Sequence, residues 1–210
     1  DKLRSGNTGD NPFKKKEVRQ ALYQAIDIEA IKKKVMRGLS EPAGIITFPG
    51  VNGYTQDLDK RLPYDVDAAK KLLADAGYPK GFDVELRCPN DRYVNDEAIC
   101  TAVVGMLGKI GVNVNLFAQT KSKHFKELKE DKGDFYMLGW GVPTLDSHYV
   151  FHYLYESGAS WNKVNFSNSE VDAAIRVMEG EVDLDKRNAA IANAWKIVKD
   201  DISYLPLHHQ

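Results

Sequence analysis

Cysteine is nearly absent from this sequence of 210 residues: Cys88 and Cys100 stand alone, with no CxxC pair and no Cys/His ligand spacing. That argues against a structural zinc centre. Net charge of one sign is also missing, with 29 basic residues against 30 acidic. Such balance offers no broad field for nucleic acid or an anionic membrane. The basic runs Lys14–Lys16 and Lys32–Lys34 read as solvated helix faces. No apolar run approaches the roughly 20 residues of a membrane span. The polar opening DKLRSGNTGDN has no signal-peptide pattern, so the numbering is expected to begin after a processed or deleted segment. GxGxxG, GxxxxGK[ST] and GxSxG are all absent, which leaves dinucleotide, nucleotide and serine-hydrolase readings without their anchors. Paired carboxylates set for acid–base work, internal repeats and low-complexity stretches are missing too.

What is present is ordinary globular composition, enough for a sizeable core. Residues 1–15 read as an extended lead-in. Val18, Ala21, Leu22, Ala25 and Ile26 follow helical spacing, and Asp27 caps a second helix through Ile28, Ile31 and Val35. Residues 39–63, with three prolines, read as one long surface loop. Asp65 caps the helix VDAAKKLLADAG. The strand Phe82–Cys88, a helix over 97–110, the strand Val112–Leu116, a helix over 122–131 and the strand Phe135–Leu138 follow. That β-α-β-α-β order predicts crossovers, with at least part of the sheet parallel. Helices are expected over 146–155, 169–180 and 184–201, and a closing strand over 203–207. Cys88 and Cys100 fall where a strand end and the next helix could approach within disulfide range; a bridge would indicate an oxidising compartment.

Two loops carry the chemistry. DFYMLGWGVPTLDSHY (134–149) runs from an apolar strand into Gly139-Trp140-Gly141, then Val142-Pro143, then a helix start at Asp146. Trp140 either seals the core or forms a platform facing a ligand. PNDRYVND (89–96) follows the earlier strand and is dense in hydrogen-bonding groups. Asn90, Arg92 and Tyr93 either satisfy an Asx-rich turn or point into a cleft, while Asn95 or Asp96 can cap the next helix. Both loops directly follow strands, so both belong at the carboxyl edge of a parallel sheet, where ligands bind in open α/β folds. His148 and His152 stand four apart and could share a metal, but the HExxH pattern needs Glu where Tyr149 stands; they read as surface or half-buried histidines.

Taken in order, NPFKKKEVRQALYQAIDIEAI, LPYDVDAAKKLLADAGYPKGF, CPNDRYVNDEAI, KIGVNVNL, GDFYMLGWG, FSNSEVDAAI and AWKIVKDDISYLPLHH resemble the second lobe of family 5 extracellular solute-binding proteins. The resemblance covers nearly the whole chain. It implies an α/β fold of the periplasmic-binding-protein-like kind, a mixed sheet with flanking helices. Residues 1–210 would form a single domain, the ligand-binding second lobe of a two-lobe protein, with the first lobe absent. It implies a non-catalytic part of an ABC importer that closes on a peptide or other small solute and is read by permease subunits in the membrane. No cofactor, metal or nucleic acid is implied. The compartment would be the periplasm, or the cell exterior on a lipid anchor. Ligand-facing residues would be Asn90, Arg92, Tyr93, Trp140, Gly141, Val142, Pro143 and Asp146. Peptide-binding members place an Asp three residues after this Trp, where Pro143 stands here; oligopeptide-binding members tend to have an Arg three residues before it, where Met137 stands. Both departures weigh against the usual anchor for a peptide ammonium group. A reading from another class is a small α/β hydrolase or metal-dependent enzyme using Asp146 with His148.

Overall fold

A computed structural model describes residues 2–6 and 10–210. The expected extended lead-in falls partly outside the described residues; within them, Pro12–Lys14 forms a short 3-10 turn that Asn11 caps, since a proline at the first position has no N–H to leave unpaired. The chain divides into two compact units: one of residues 1–42, 62–139 and 210, the other of residues 43–61 and 140–209.

The first unit holds helices α1 (Lys16–Ala25) and α2 (Ile28–Lys34), the two-residue strand β1 (Glu41–Pro42) and helix α3 (Val66–Asp75). Strand β2 (Phe82–Pro89), helix α4 (Asp96–Gly108), strand β3 (Val112–Gln119), helix α5 (Lys121–Lys129) and strand β4 (Phe135–Tyr136) complete it. Asp27 and Asp65 start their helices as expected, accepting from the N–H groups of Ala30 and Ala68. Alternation places Phe82, Val84, Leu86 and Cys88 of β2 inward. This strand is central: β3 and β4 flank it, both parallel, in the order β3-β2-β4. Register pairs Phe82 with Val112 and Leu86 with Phe135. Gly81 has φ +73°, and a Cβ there would strike the Gly111 backbone, so the two parallel strands can start side by side only with glycine at that place. Asp134 ties the sheet down by accepting from the Glu85 N–H (2.8 Å) and the Ser5 N–H (2.9 Å). A disulfide joins Cys88 at the end of β2 to Cys100 in α4, buried with Leu86 and packed by Met137 and Leu116.

The second unit holds α6 (Ser147–Val150), a wide π-helical turn (Phe151–Tyr155), α7 (Ser169–Gly180), α8 (Leu184–Asp201) and β5 (His208–His209). Phe151, Leu154, Val171, Ile175, Ile191, Trp195 and Val198 are among its buried side chains. Ser147 is a polar hub within that core. Its Oγ donates to the Asn52 carbonyl (2.6 Å) and accepts from the Trp195 indole N–H (3.0 Å). Asn168 and Asp183 cap α7 and α8. The strand expected over 203–207 does not form. Pro206 has no N–H to give a ladder, and Arg61 engages the carbonyls of Pro206 and Leu207 instead. Strand β4 also stops earlier than expected, because the Met137 carbonyl faces His124 Nε2 at 3.0 Å. Among the described residues, no helix is long and apolar enough to cross a membrane.

Candidate functional site

In the first unit, the turn after β2 is locked by its own acids. Asp96 Oδ2 accepts from the N–H groups of Arg92 (2.9 Å) and Tyr93 (3.0 Å), and Asp91 Oδ1 accepts from the Lys121 N–H at the start of α5 (2.5 Å). Asn95 takes a left-handed φ of 56° and makes no side-chain cap, so Asp96 does the holding that either residue was expected to share. Asn90 and Arg92 remain exposed. The Arg92 guanidinium lies 5.1 Å from the centroid of the Tyr93 ring, within cation–π range. Tyr93 donates its hydroxyl to the Gly139 carbonyl at 3.2 Å. Burial pushes the Tyr93 phenol above its ordinary pKa, so it stays a neutral donor at neutral pH. A Cβ on Gly139 would lie 2.6 Å from the Tyr93 ring, so the contact requires glycine there.

In the second unit, Trp140 gathers aromatic rings. Tyr149 and Tyr153 lie 6.0 Å from it, and Trp161 lies 5.9 Å away. Tyr149 and Tyr153, one turn apart on α6 and the π turn, are 4.8 Å from each other. All four side chains are partly exposed. The Trp140 indole N–H is sealed from solvent and finds no hydrogen-bond partner among the described residues. Trp140 is therefore neither a core plug nor a free flap; it forms the centre of a four-ring surface. The i, i+4 spacing of Tyr149 and Tyr153 was available in the sequence as a signal. Trp161 sits in a loop with no such pattern.

Gly141 and Pro143 beside Trp140 are exposed. Val142, expected on the ligand-facing wall, is instead 3% exposed and serves the core. Asp146, expected to face the ligand, is committed internally. Arg187 reaches it with both terminal nitrogens (2.8 and 2.9 Å), Asn52 donates to it at 3.0 Å, and it caps α6 through the His148 N–H at 2.9 Å. Burial alone would raise its pKa. The hydrogen bonds from Arg187, His148 and Asn52 outweigh that and hold it at about 2. The His148 ring faces Glu179 at 3.4 Å, not Asp146, so the acid–imidazole pair that a hydrolase reading needs is not formed.

A model described as "Bacterial extracellular solute-binding proteins, family 5 Middle" matches residues 5–162. Heme-binding protein A of Haemophilus influenzae is 29% identical over 211 residues, covering 97% of this chain and 38% of that protein. The dipeptide-binding protein of Escherichia coli is 28% identical, covering 98% of this chain and 39% of its own length. Among solved structures, the dipeptide-binding protein from Pseudoalteromonas sp. SM9913 in complex with Met-Leu superposes with a TM-score of 0.82 at 28% identity, covering 97% of this chain and 41% of that one. The chain thus spans about two fifths of the length of each of these relatives.

Proposed function

The chain belongs to the bacterial extracellular solute-binding proteins of family 5, and from that membership we propose that it is part of the substrate-binding component of an ABC importer. It captures a peptide or another small solute and delivers it to permease subunits in the membrane. Residues 1–210 act as the ligand-binding second lobe, and a first lobe supplies the opposing wall of the cleft. The relatives' remaining length has no counterpart in these 210 residues, which supports that division. The family binds solutes and is not a family of enzymes, and in this reading the chain catalyses nothing. The protein works in the periplasm, or outside the cell on a lipid anchor.

One observation supports capture above all: four partly exposed rings are held together, Tyr149 and Tyr153 from the helical segment and Trp140 and Trp161 from the loops beside it. Ligand sites are mostly apolar and aromatic, with a few placed polar groups. Trp140, Gly141 and Pro143 are proposed contacts, with Val142 and Asp146 fixing their loop from inside. Asn90, Arg92 and Tyr93 are proposed contacts as well. Pro143 brings no charge to an ammonium group, so the reading favours a less cationic solute than a free peptide N-terminus.

Titration of the full-length protein with hemin and with Met-Leu, followed by tryptophan fluorescence, tests this. At least one probe is expected to saturate, and Trp140→Ala should weaken it roughly tenfold or more, as loss of a central aromatic anchor does. If Trp140→Ala leaves every affinity unchanged, the ring cluster is not the site. Turnover of a peptide by the purified protein, lost on His148→Ala, would overturn the receptor reading altogether.

A further inference from the structure

We propose that His148, His152 and Glu179 form a binding site for a first-row divalent transition metal ion of the zinc class. The three side chains lie within the second unit, on α6, the π turn and α7. One ligand atom from each falls within 4.8 Å of the other two. His148 Nε2 stands 3.4 Å from Glu179 Oε1, and His152 Nδ1 stands 3.9 Å from the same oxygen. A tetrahedral ion with arms of about 2.0–2.1 Å sets its ligand atoms roughly 3.3 Å apart, so small side-chain rotations close the site. The imidazoles are already stacked, with centroids 5.6 Å apart and planes 25° from parallel, so one ion can meet both.

The donor set selects the metal class. Two imidazoles with one carboxylate suit zinc, nickel or copper, whereas magnesium and calcium prefer oxygen alone. The side chains are 29%, 42% and 46% exposed, which leaves an entry path and a place for water as a further ligand. Glu156 Oε2 lies 2.8 Å from His152 Nδ1, yet that nitrogen makes no aligned hydrogen bond. No aligned hydrogen bond therefore has to break for that nitrogen to take an ion. Sequence spacing shows only half of this arrangement. Tyr149 stands where HExxH would need Glu, and the third ligand comes from a different helix.

Occupancy would bridge the segment that carries Tyr149 and Tyr153 to α7. It would thus fix the helix beneath the ring cluster; His152 itself stands edge-on to the Tyr153 ring, with centroids 4.8 Å apart. The site stands whether or not that cluster binds a solute.

The test uses the full-length protein stripped with EDTA. Calorimetric titration with Zn²⁺ is expected to show one tight equivalent, and Co²⁺ to give the intense visible bands of a four-coordinate ion. Mg²⁺ should not compete. His148→Ala, His152→Ala and Glu179→Gln should each weaken Zn²⁺ by more than the roughly 10–100-fold that loss of an outer-shell partner costs. Circular dichroism of each variant, matched to the parent, separates loss of the site from loss of the fold. The proposal fails if the His148→Ala/His152→Ala double variant, folded, binds Zn²⁺ as tightly as the parent. It fails equally if Mg²⁺ displaces Co²⁺.

Discussion

Four donors converge on the Asp146 carboxylate: both terminal nitrogens of Arg187, the Asn52 amide and the His148 N–H. Arg187 Nε then donates to the Met178 carbonyl at 2.8 Å, so one ion pair links the 43–61 segment, α6, α7 and α8. The folded pKa of about 2 lies below the ordinary 3.8. A depressed carboxylate stabilises the fold fully above the unfolded value, and the contribution is lost as pH falls through the folded one. The shift corresponds to about 2 kcal/mol. Asp146→Asn is expected to lose about 2 kcal/mol at neutral pH and to flatten the stability curve between roughly pH 4 and 2, measured by urea unfolding at each pH. A variant curve parallel to the parent's would show the carboxylate to be uncoupled. The capping role of Asp146 was legible from its place before the helix. Its partner Arg187, 41 residues on, was not, because no periodicity connects the two. The same holds for Trp140: its loop could be read, but the Trp161 ring beside it could not.

At the scale of elements, the Cys88–Cys100 disulfide ties the end of the central strand to the helix that follows. Its sequence separation is 12 residues, a loop whose closure entropy corresponds to about 3 kcal/mol in the chain-entropy account. Cys88→Ala/Cys100→Ala should therefore lower stability by about 3 kcal/mol in urea, and dithiothreitol should do the same to the parent. Little or no loss would mean that packing around Leu86 and Met137 alone holds β2 to α4. Helices were the most legible elements: Asp27 and Asp65 each announce a start with a side-chain oxygen. The closing strand was the least legible. A strand over 203–207 was expected, but Pro206 and the Arg61 guanidinium take that backbone elsewhere. Local pattern cannot report a cation that arrives from far away in the chain.

For the molecule as a whole, motif order and α/β class were readable, whereas the division into two units was not. Residues 39–63 read as one surface loop, yet residues 43–61 belong with residues 140–209. The reason is that their anchors are long-range: Asn52 meets Asp146 and Asn188, and Gly53 packs against Ile191 and Ser147. Cys88 and Cys100 both belong to the first unit, so the effect of losing the disulfide is expected to be confined to it. Hydrogen exchange on Cys88→Ala/Cys100→Ala is expected to deprotect β2 and α4 while α7 and α8 keep their protection. Equal deprotection throughout would show a single cooperative unit.

Each unit is assembled from separated stretches of chain, and this limits how the protein can be inherited. A recombination breakpoint at residue 140 would carry off α6, α7 and α8 without the stretch that seats Asn52 and Gly53 among them. The remainder would keep that stretch with nothing to receive it. Neither unit can pass to another gene as one contiguous cassette.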